Sequence, residues 1–232
     1  MLGVLALSAL GDLLSLYLGK IYFEALERWK AGEDVNDEWV AVDETWGALG
    51  NVQFLLTIAC AITFFLWQYR IVRNLPALFA DGRKFTPGWA VAWWFFPIAN
   101  LWKPYQAMRE AWRASSPRLT STPTDWKKEE NSAMLPLWWA LWIVSNVLGA
   151  EVTRLSFRAD TTDEYITLNE FALAFSGVNV LATFAAMYIV YHLTMRLHAR
   201  AEVVFNRPIA GSENDPMRPY GEAPANGMNT HP

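Results

Sequence analysis

The sequence has very few of the residues that build disulfides, haem sites and metal centres. Its 232 residues include 1 cysteine and 3 histidines. Cys60 lies inside an apolar run and has no partner for an internal disulfide. His192, His198 and His231 do not supply a facing pair of haem ligands, and no His/Cys/carboxylate cluster has metal-site spacing. We therefore predict no cofactor and no metal.

Charged residues and catalytic motifs are also scarce. Asp, Glu, Lys and Arg make up 18% of the chain, whereas apolar residues make up 53%, a composition typical of membrane proteins. The pI of about 5.4 argues against broad nucleic-acid binding, so no nucleic acid is expected as a partner. The sequence has no glycine-rich phosphate loop, nucleophile elbow or HExxH motif. We therefore expect that the protein is not an enzyme.

What the sequence does contain is four long apolar runs. Each is close to the roughly 20 residues that a bilayer-spanning helix needs, and a segment in lipid must satisfy its backbone hydrogen bonds internally. The runs predict an all-α, polytopic membrane domain over residues 1–205, followed by a disordered cytoplasmic tail at 206–232. The predicted spanning helices cover about 2–23, 47–68, 134–151 and 170–197.

Local signals mark the start of two of these helices and the packing face of a third. Thr167 and Glu170 have the spacing of a capping box, and Pro136 fits a first helical turn. Gly11 and Gly19 lie on one face of the first helix, which predicts close approach of a neighbouring helix. A signal peptide is the alternative for this run, but a basic start is absent and Asp12 interrupts it.

The distribution of Lys and Arg predicts the orientation. Residues 69–133 are rich in basic residues, whereas residues 19–48 and 151–170 are mainly acidic. Because Lys and Arg are enriched in cytoplasmic loops, residues 69–133 and both termini are predicted to be cytoplasmic. The predicted location is a bacterial plasma (inner) membrane.

A fifth apolar stretch, residues 87–102, reads PGWAVAWWFFPIANLW. Basic residues flank it on both sides, and Pro97 removes a backbone donor and bends the chain. We predict that segment 87–114 is re-entrant or interfacial, with a full fifth crossing as the alternative. Its second part, KPYQAMREAWRA, predicts an amphipathic cytoplasmic helix, with aromatic rings such as Trp112 at the boundary between lipid tails and headgroups.

These segments resemble one known family. The string from Trp67 to Trp112, which includes FTPGWAVAWWFFPIANLWKPYQAMREAW, is similar to the signature of a bacterial multi-pass membrane family catalogued as a domain of unknown function. The string LPLWWALWIVSN at 135–146 is similar to the same family, and the resemblance covers roughly residues 45–200. Family members usually have glycine where Ala92 stands. The resemblance implies a membrane location and a shared core, but no activity, substrate or cofactor.

The candidate ligand- or partner-binding residues are mainly polar groups beside the proline break. A carboxylate at mid-bilayer is costly, so Asp12 is either a proton or cation site, or a neutral group bonded to another helix. Arg70 binds a phosphate, pairs with Glu110 or anchors its helix at the cytoplasmic side. The amides of Asn74, Asn100 and Gln106 either satisfy carbonyls freed at Pro97 or contact a ligand. The candidates are Asp12, Arg70, Asn74, Trp94, Asn100, Tyr105, Gln106 and Glu110.

Two functions are compatible with this pattern. The first is a membrane-embedded interaction or regulatory module that binds lipid, a partner helix or a small apolar ligand at the cytoplasmic face. Its expected partners are membrane lipids and a partner membrane protein or a second copy of the chain. The alternative is a small solute or ion transporter or channel that uses the broken segment. Against transport, the sequence shows no inverted repeat and few polar residues expected to face one another within the four runs.

Overall fold

The computed structural model describes residues 1–118 and 125–206, without the side chains of residues 36–43 and 125. Within these ranges every regular element is helical and no strand occurs, which confirms the predicted all-α fold. The predicted tail lies outside the described residues from residue 207 onward. The α-helices are α1 (Leu2–Lys30), α2 (Asn36–Asn74), α3 (Pro87–Ala92), α4 (Lys103–Ala114), α5 (Met134–Ser156) and α6 (Thr162–Phe205).

Four of the described helices are long and apolar enough to span a membrane, which indicates a membrane location. They contain the four predicted runs, but each helix is longer than predicted. An apolar run marks only the part of a helix that suits lipid, and the helix itself continues into polar sequence on one or both sides. The candidate spans are Leu2–Lys30, Glu44–Asn74, Met134–Ser156 and Thr162–Phe205.

The predicted capping box at the start of the last helix was placed too late in the sequence. The Thr161 side chain accepts a hydrogen bond from the Glu164 backbone, and Glu164 Oε2 accepts one from the Thr161 backbone at 3.0 Å. Thr167 already lies inside α6, where its hydroxyl donates to the Asp163 carbonyl. The prediction was wrong because it placed the N-terminal cap at the edge of the apolar run, whereas α6 begins earlier, in polar sequence.

Close packing holds the spanning helices together. α1 packs against both α2 and α6, and α6 packs against α5. The predicted small-residue face of α1 lies in these contacts: a Cβ atom at Gly11 would lie 2.7 Å from Gln53 Cδ, and one at Gly19 would lie 2.7 Å from Leu173 Cδ2. Both distances are too short for a real contact, so glycine allows α2 and α6 to approach α1.

Residues 84–114 form a hairpin, and we call the bundle end that carries it the hairpin end. α3 and the 3-10 turn Trp93–Phe95 rise about 15 Å, half of a bilayer core. The chain turns at Pro97 and returns through α4. At the base, the Glu110 carboxylate accepts hydrogen bonds from the backbone N–H groups of Lys84 at 2.8 Å and Phe85 at 3.0 Å. The two ends of the segment therefore meet at one end of the bundle, a geometry that is compatible with the predicted re-entrant or interfacial placement.

The amphipathic helix α4 forms where predicted, but its apolar face does not lie free for lipid. Met108 is 1% exposed and Trp112 is 7% exposed, and both belong to the main hydrophobic core with residues of α2, α5 and α6. The prediction of aromatic rings at the tail–headgroup boundary is therefore wrong for Trp112. A helical apolar stripe is buried equally well by protein or by lipid, and the sequence pattern does not distinguish the two.

Candidate functional site

A polar layer crosses the bundle, and each of the four spanning helices contributes one side chain to it. In α1, Asp12 is only 4% exposed. Gln53 Nε2 of α2 donates to Asp12 Oδ1 at 2.9 Å, and Asn179 Nδ2 of α6 donates to Asp12 Oδ2 at 2.8 Å. Ser145 Oγ of α5 donates to Asn179 Oδ1 at 3.1 Å. Both carboxylate oxygens are therefore bound by neutral amides, and a chain of hydrogen bonds joins all four spans.

The depth of this layer follows from helix geometry. Asp12 lies about 15 Å along α1 from Leu2, given a rise of about 1.5 Å per residue. A bilayer core is about 30 Å thick, so a membrane boundary near Leu2 would place the layer near the middle of the core. Water is scarce at that depth, and the amide donors take its place around the carboxylate.

The sequence reasoning missed three members of the polar layer. It expected few polar residues to face one another in the four runs, and this expectation is wrong because Gln53, Ser145 and Asn179 meet at Asp12. A signal was present, since polar side chains inside spanning runs are uncommon and usually face the bundle interior. The sequence did not show that these side chains lie at the same depth in the bundle, because their relative depth depends on how far each helix is shifted along its axis against its neighbours.

An aromatic cavity of about 390 Å³ lies on the hairpin side of the layer. Its walls include Phe64, Phe65, Trp138 and Trp142, with Trp94 from the hairpin. The Trp94 ring centroid lies 5.3 Å from that of Trp142 and 5.4 Å from that of Phe64, both edge-on. Such edge-to-face pairs stabilise a fixed ring arrangement. The hairpin therefore supplies one wall of a cavity whose other walls are spanning helices.

Two amide side chains, Gln68 and Asn100, provide polar atoms at the wall of this cavity. Gln68 Oε1 accepts a hydrogen bond from Trp94 Nε1 at 2.9 Å, which fixes the indole ring. Asn100 lines the cavity, and its Oδ1 atom is buried and accepts no hydrogen bond from any described residue. A mainly apolar cavity with one unsatisfied acceptor suits an apolar molecule that carries a hydrogen-bond donor.

A second cavity of about 210 Å³ lies beside the polar layer and is lined by Asp12, Gln53 and Ser176. It shares three lining residues, Ser8, Thr57 and Asn179, with the aromatic cavity. Asp12 and Gln53 therefore line the second cavity alone, whereas their partner Asn179 lies between the two cavities.

The structure brings together only some of the predicted site residues. Trp94 and Asn100 both line the aromatic cavity, and the Tyr105 ring packs on Trp139, with the centroids 6.0 Å apart. Gln106 and Glu110 line a separate pocket at the base of the hairpin.

The remaining predicted residues lie apart from the cavities. Arg70 and Asn74 are exposed near the end of α2 and line none of the cavities described above. The suggested pairing of Arg70 with Glu110 is not observed, because Glu110 binds backbone N–H groups instead. After the Pro97 break, the Leu101 carbonyl accepts its hydrogen bond from Trp139 Nε1 at 3.0 Å. The prediction offered such a role to the amides of Asn74, Asn100 and Gln106, whereas at Leu101 a tryptophan from α5 performs it.

Comparison with curated proteins and with solved structures found no match. The model of one protein family, the domain of unknown function DUF4328, matches residues 33–195. The match contains all of α2, the hairpin, all of α5 and most of α6, whereas α1 and its Asp12 precede it. The resemblance predicted from the tryptophan-rich strings is thereby confirmed, with a slightly earlier start than expected. Since the match covers more than half of the chain, the protein belongs to the DUF4328 family.

Proposed function

We propose that the protein is a membrane-embedded binding module that holds a compact, largely apolar ligand with one hydrogen-bond donor in the aromatic cavity. The observation that carries this proposal is an aromatic cavity of about 390 Å³ that contains a buried acceptor, Asn100 Oδ1, without a donor. The volume falls within the range of about 300–1,000 Å³ typical of small-molecule sites. In this proposal the module binds rather than catalyses.

The aromatic walls support a preformed site. Trp94 is held by the Gln68 side chain, which is 1% exposed, and by edge-on contacts with Phe64 and Trp142. A ring fixed in this way loses little further freedom when a ligand arrives, which lowers the entropic cost of binding. Aromatic faces also bury a large apolar area per side chain.

Asn100 supports the requirement for a donor on the ligand. A buried acceptor without a partner costs about 1–3 kcal/mol, so a ligand hydroxyl, amide or amine that bonds to it removes that cost. Asn100 and Trp94 both belong to the hairpin, and a ligand that touches both connects the hairpin with α5 and α6. A ligand bound in the aromatic cavity would then favour one position of the hairpin. Through that change in position the module would regulate a partner. The partner in this proposal is a membrane protein or a second copy, and the hairpin faces the cytoplasm.

A brominated alcohol tests the proposal, because bromine quenches tryptophan fluorescence on contact. The protein is reconstituted in phosphatidylcholine nanodiscs and titrated with 11-bromo-1-undecanol, with 1-bromoundecane as the ligand that lacks a donor. Saturable quenching is expected for the alcohol, with binding at least about fivefold weaker for the alkane, since one hydrogen bond is lost. Ala61→Phe, which fills the cavity, is expected to abolish the saturable component.

Matched asparagine variants provide the control. Asn100→Leu is expected to remove the preference for the alcohol over the alkane. Asn146→Leu is expected to preserve it, because Asn146 is exposed and bonds only to the Trp142 carbonyl of its own helix. Quenching that rises linearly, without saturation and equally in Ala61→Phe and the unaltered protein, would mean simple partition into lipid and would exclude the proposed site.

Proton or small-cation transport is the second candidate, and the polar layer favours it. In this candidate function Asp12 lies near mid-bilayer, is bonded to two neutral amides and lines the second cavity, and its partner Asn179 lines both cavities. Ionisable side chains at this depth commonly mark proton or ion pathways.

Proteoliposomes that contain a pH-sensitive dye and carry an imposed potential test the transport candidate. Asp12→Asn is expected to abolish uptake, and Ser15→Ala, which also lines the second cavity, is expected to retain it. Equal rates in empty and protein-containing liposomes would exclude transport. The bromoalcohol assay is independent of this result.

A further inference from the structure

A third concave site lies at the base of the hairpin and shares no lining residue with the aromatic cavity. Its volume is about 300 Å³. Three segments meet there: the start of the hairpin supplies Lys84, α4 supplies Arg109 and Arg113, and the 3-10 turn Asp125–Lys128 supplies Lys127. Four basic side chains therefore surround one pocket in a chain whose overall charge is negative.

The one acidic residue of this pocket offsets at most one of the four positive charges and forms no salt bridge with the basic side chains. Glu110 directs its two oxygens to the backbone N–H groups of Lys84 and Phe85. The Arg109 guanidinium lies over the Tyr105 ring at 5.9 Å, and Lys127 Nζ lies over the Trp126 ring at 5.6 Å. These cation–π contacts position the cations without cancelling their charge.

Arg113 and Lys84 complete the positive surface. Arg113 Nε donates to the neutral Asn131 Oδ1 at 2.9 Å. Within the described part of the chain, none of the four basic side chains forms a salt bridge with a carboxylate. The pocket therefore has an excess of positive charge and several free N–H donors, a combination that suits an anion.

The position of the pocket relative to the hairpin tip indicates which anion lies near it in a membrane. At the hairpin tip, Phe95 and Ile98 are 68% and 74% exposed, as expected for side chains inserted in lipid tails. From Lys103, near the hairpin tip, α4 runs about 10 Å back toward the hairpin base, where it reaches Glu110. Half of a bilayer core is about 15 Å thick, so a tip in the tails places the pocket near the headgroup phosphates.

We infer that this pocket binds a phosphate group, supplied either by the headgroup of an anionic phospholipid or by a soluble phosphate. Arg109 and Arg113 are four residues apart and lie on one face of α4, so both guanidinium groups reach one phosphate. Lys84 and Lys127 approach from the other segments, and Gln106 adds a neutral amide donor. A bound phosphate thus joins the hairpin to the turn that precedes α5. This inference goes beyond the proposed function and does not depend on it.

Native mass spectrometry of the detergent-solubilised protein tests the inference. Dioleoylphosphatidylglycerol and dioleoylphosphatidylcholine are titrated separately, and the retained lipid is counted. Tighter binding of phosphatidylglycerol is expected, and Lys84→Gln with Arg109→Gln is expected to weaken it about tenfold or more, since each basic residue near a membrane surface contributes measurably to anionic-lipid binding. The matched control, Arg73→Gln with Arg118→Gln, removes the same charge from exposed positions outside the pocket.

A competition arm separates the two phosphate sources. Millimolar inorganic phosphate that displaces the lipid and gives a ³¹P NMR shift, in the unaltered protein but not in the pocket variant, indicates a soluble phosphate. Retention of phosphatidylglycerol in the presence of inorganic phosphate indicates the lipid headgroup. Equal binding of the two lipids without any phosphate binding, or equal weakening by the pocket and control variants, would overturn the inference.

Discussion

Asp12 shows how one residue in a spanning helix acquires its partners. The sequence places a carboxylate inside an apolar run, where it needs hydrogen bonds or a counter-charge. The fold supplies amide donors from α2 and α6, and Asn179 in turn accepts from Ser145 of α5. Asn179 therefore serves as donor and acceptor at the same time, and its loss should affect three helices.

Asn179→Leu is expected to destabilise the bundle. It removes one donor to Asp12 and the acceptor of Ser145, and a buried polar group that loses its partner costs about 1–3 kcal/mol. The measurement is unfolding in mixed detergent micelles, followed by tryptophan fluorescence. Asn146→Leu is the matched control, because Asn146 is exposed and bonds only within α5. Equal midpoints for the two variants would contradict a stabilising role for the layer.

In the hairpin, the features that the sequence predicts are clearly separate from those that depend on the tertiary fold. Pro97 and the short apolar stretch predicted a broken, non-crossing segment, because proline limits the backbone locally. The closure at Glu110 was not predicted, and neither was the packing of α4 on the core. Both depend on contacts between residues that are far apart from each other in sequence.

Glu110→Gln is expected to loosen the base of the hairpin. A glutamine has one acceptor oxygen, so at most one of the two backbone bonds to Lys84 and Phe85 persists in the same geometry. The lost charge-assisted bond is worth about 1.5–3 kcal/mol. Hydrogen exchange of the peptide that covers residues 84–92 is expected to accelerate accordingly.

The control for this variant is Glu130→Gln, an exposed acidic residue for which the structure shows no side-chain hydrogen bond. Its exchange in the same peptide is expected to match that of the unaltered protein. Unchanged exchange in Glu110→Gln would mean that packing of α4, rather than the carboxylate, holds the hairpin closed.

The end of α6 shows a related difference between sequence and fold. Arg196 and Arg200 lie at the end of the last apolar run, a sequence position that by itself indicates only orientation in the membrane. In the structure, the Arg200 guanidinium is buried and donates to the carbonyls of Leu78 and Ser116. Arg196 lies over the Trp112 ring at 4.8 Å. These two arginines therefore attach α6 to the loop after α2 and to the end of α4.

At the scale of the whole molecule, the orientation in the membrane is the main prediction that follows from charge. The hairpin end carries most of the basic residues, and Lys and Arg are enriched on the cytoplasmic side. In a Cys60→Ala background, Glu130→Cys is expected to react with a membrane-impermeant maleimide only from the cytoplasmic side. Asp160→Cys, at the opposite end of the bundle, is expected to react only from outside.

Both positions are exposed, so neither labelling site is hidden by the fold. The unreactive control is the Cys60→Ala protein itself, which has no remaining cysteine. Reaction of both positions from the same side would contradict four crossings, and a swapped pattern would invert the proposed orientation.

The sequence by itself determined the number of spanning helices and the break in the hairpin, because length, apolar composition and proline geometry act locally. It did not determine the site. Gln53 and Asn179 are 41 and 167 positions from Asp12, and the basic pocket draws on three separate segments. A spanning helix is apolar on nearly every face, so apart from the glycine face of α1 the sequence does not show which face of each helix turns inward. Tertiary packing decided that, through close contacts such as the one at Gly11, which fix the rotation and shift of each helix against its neighbours.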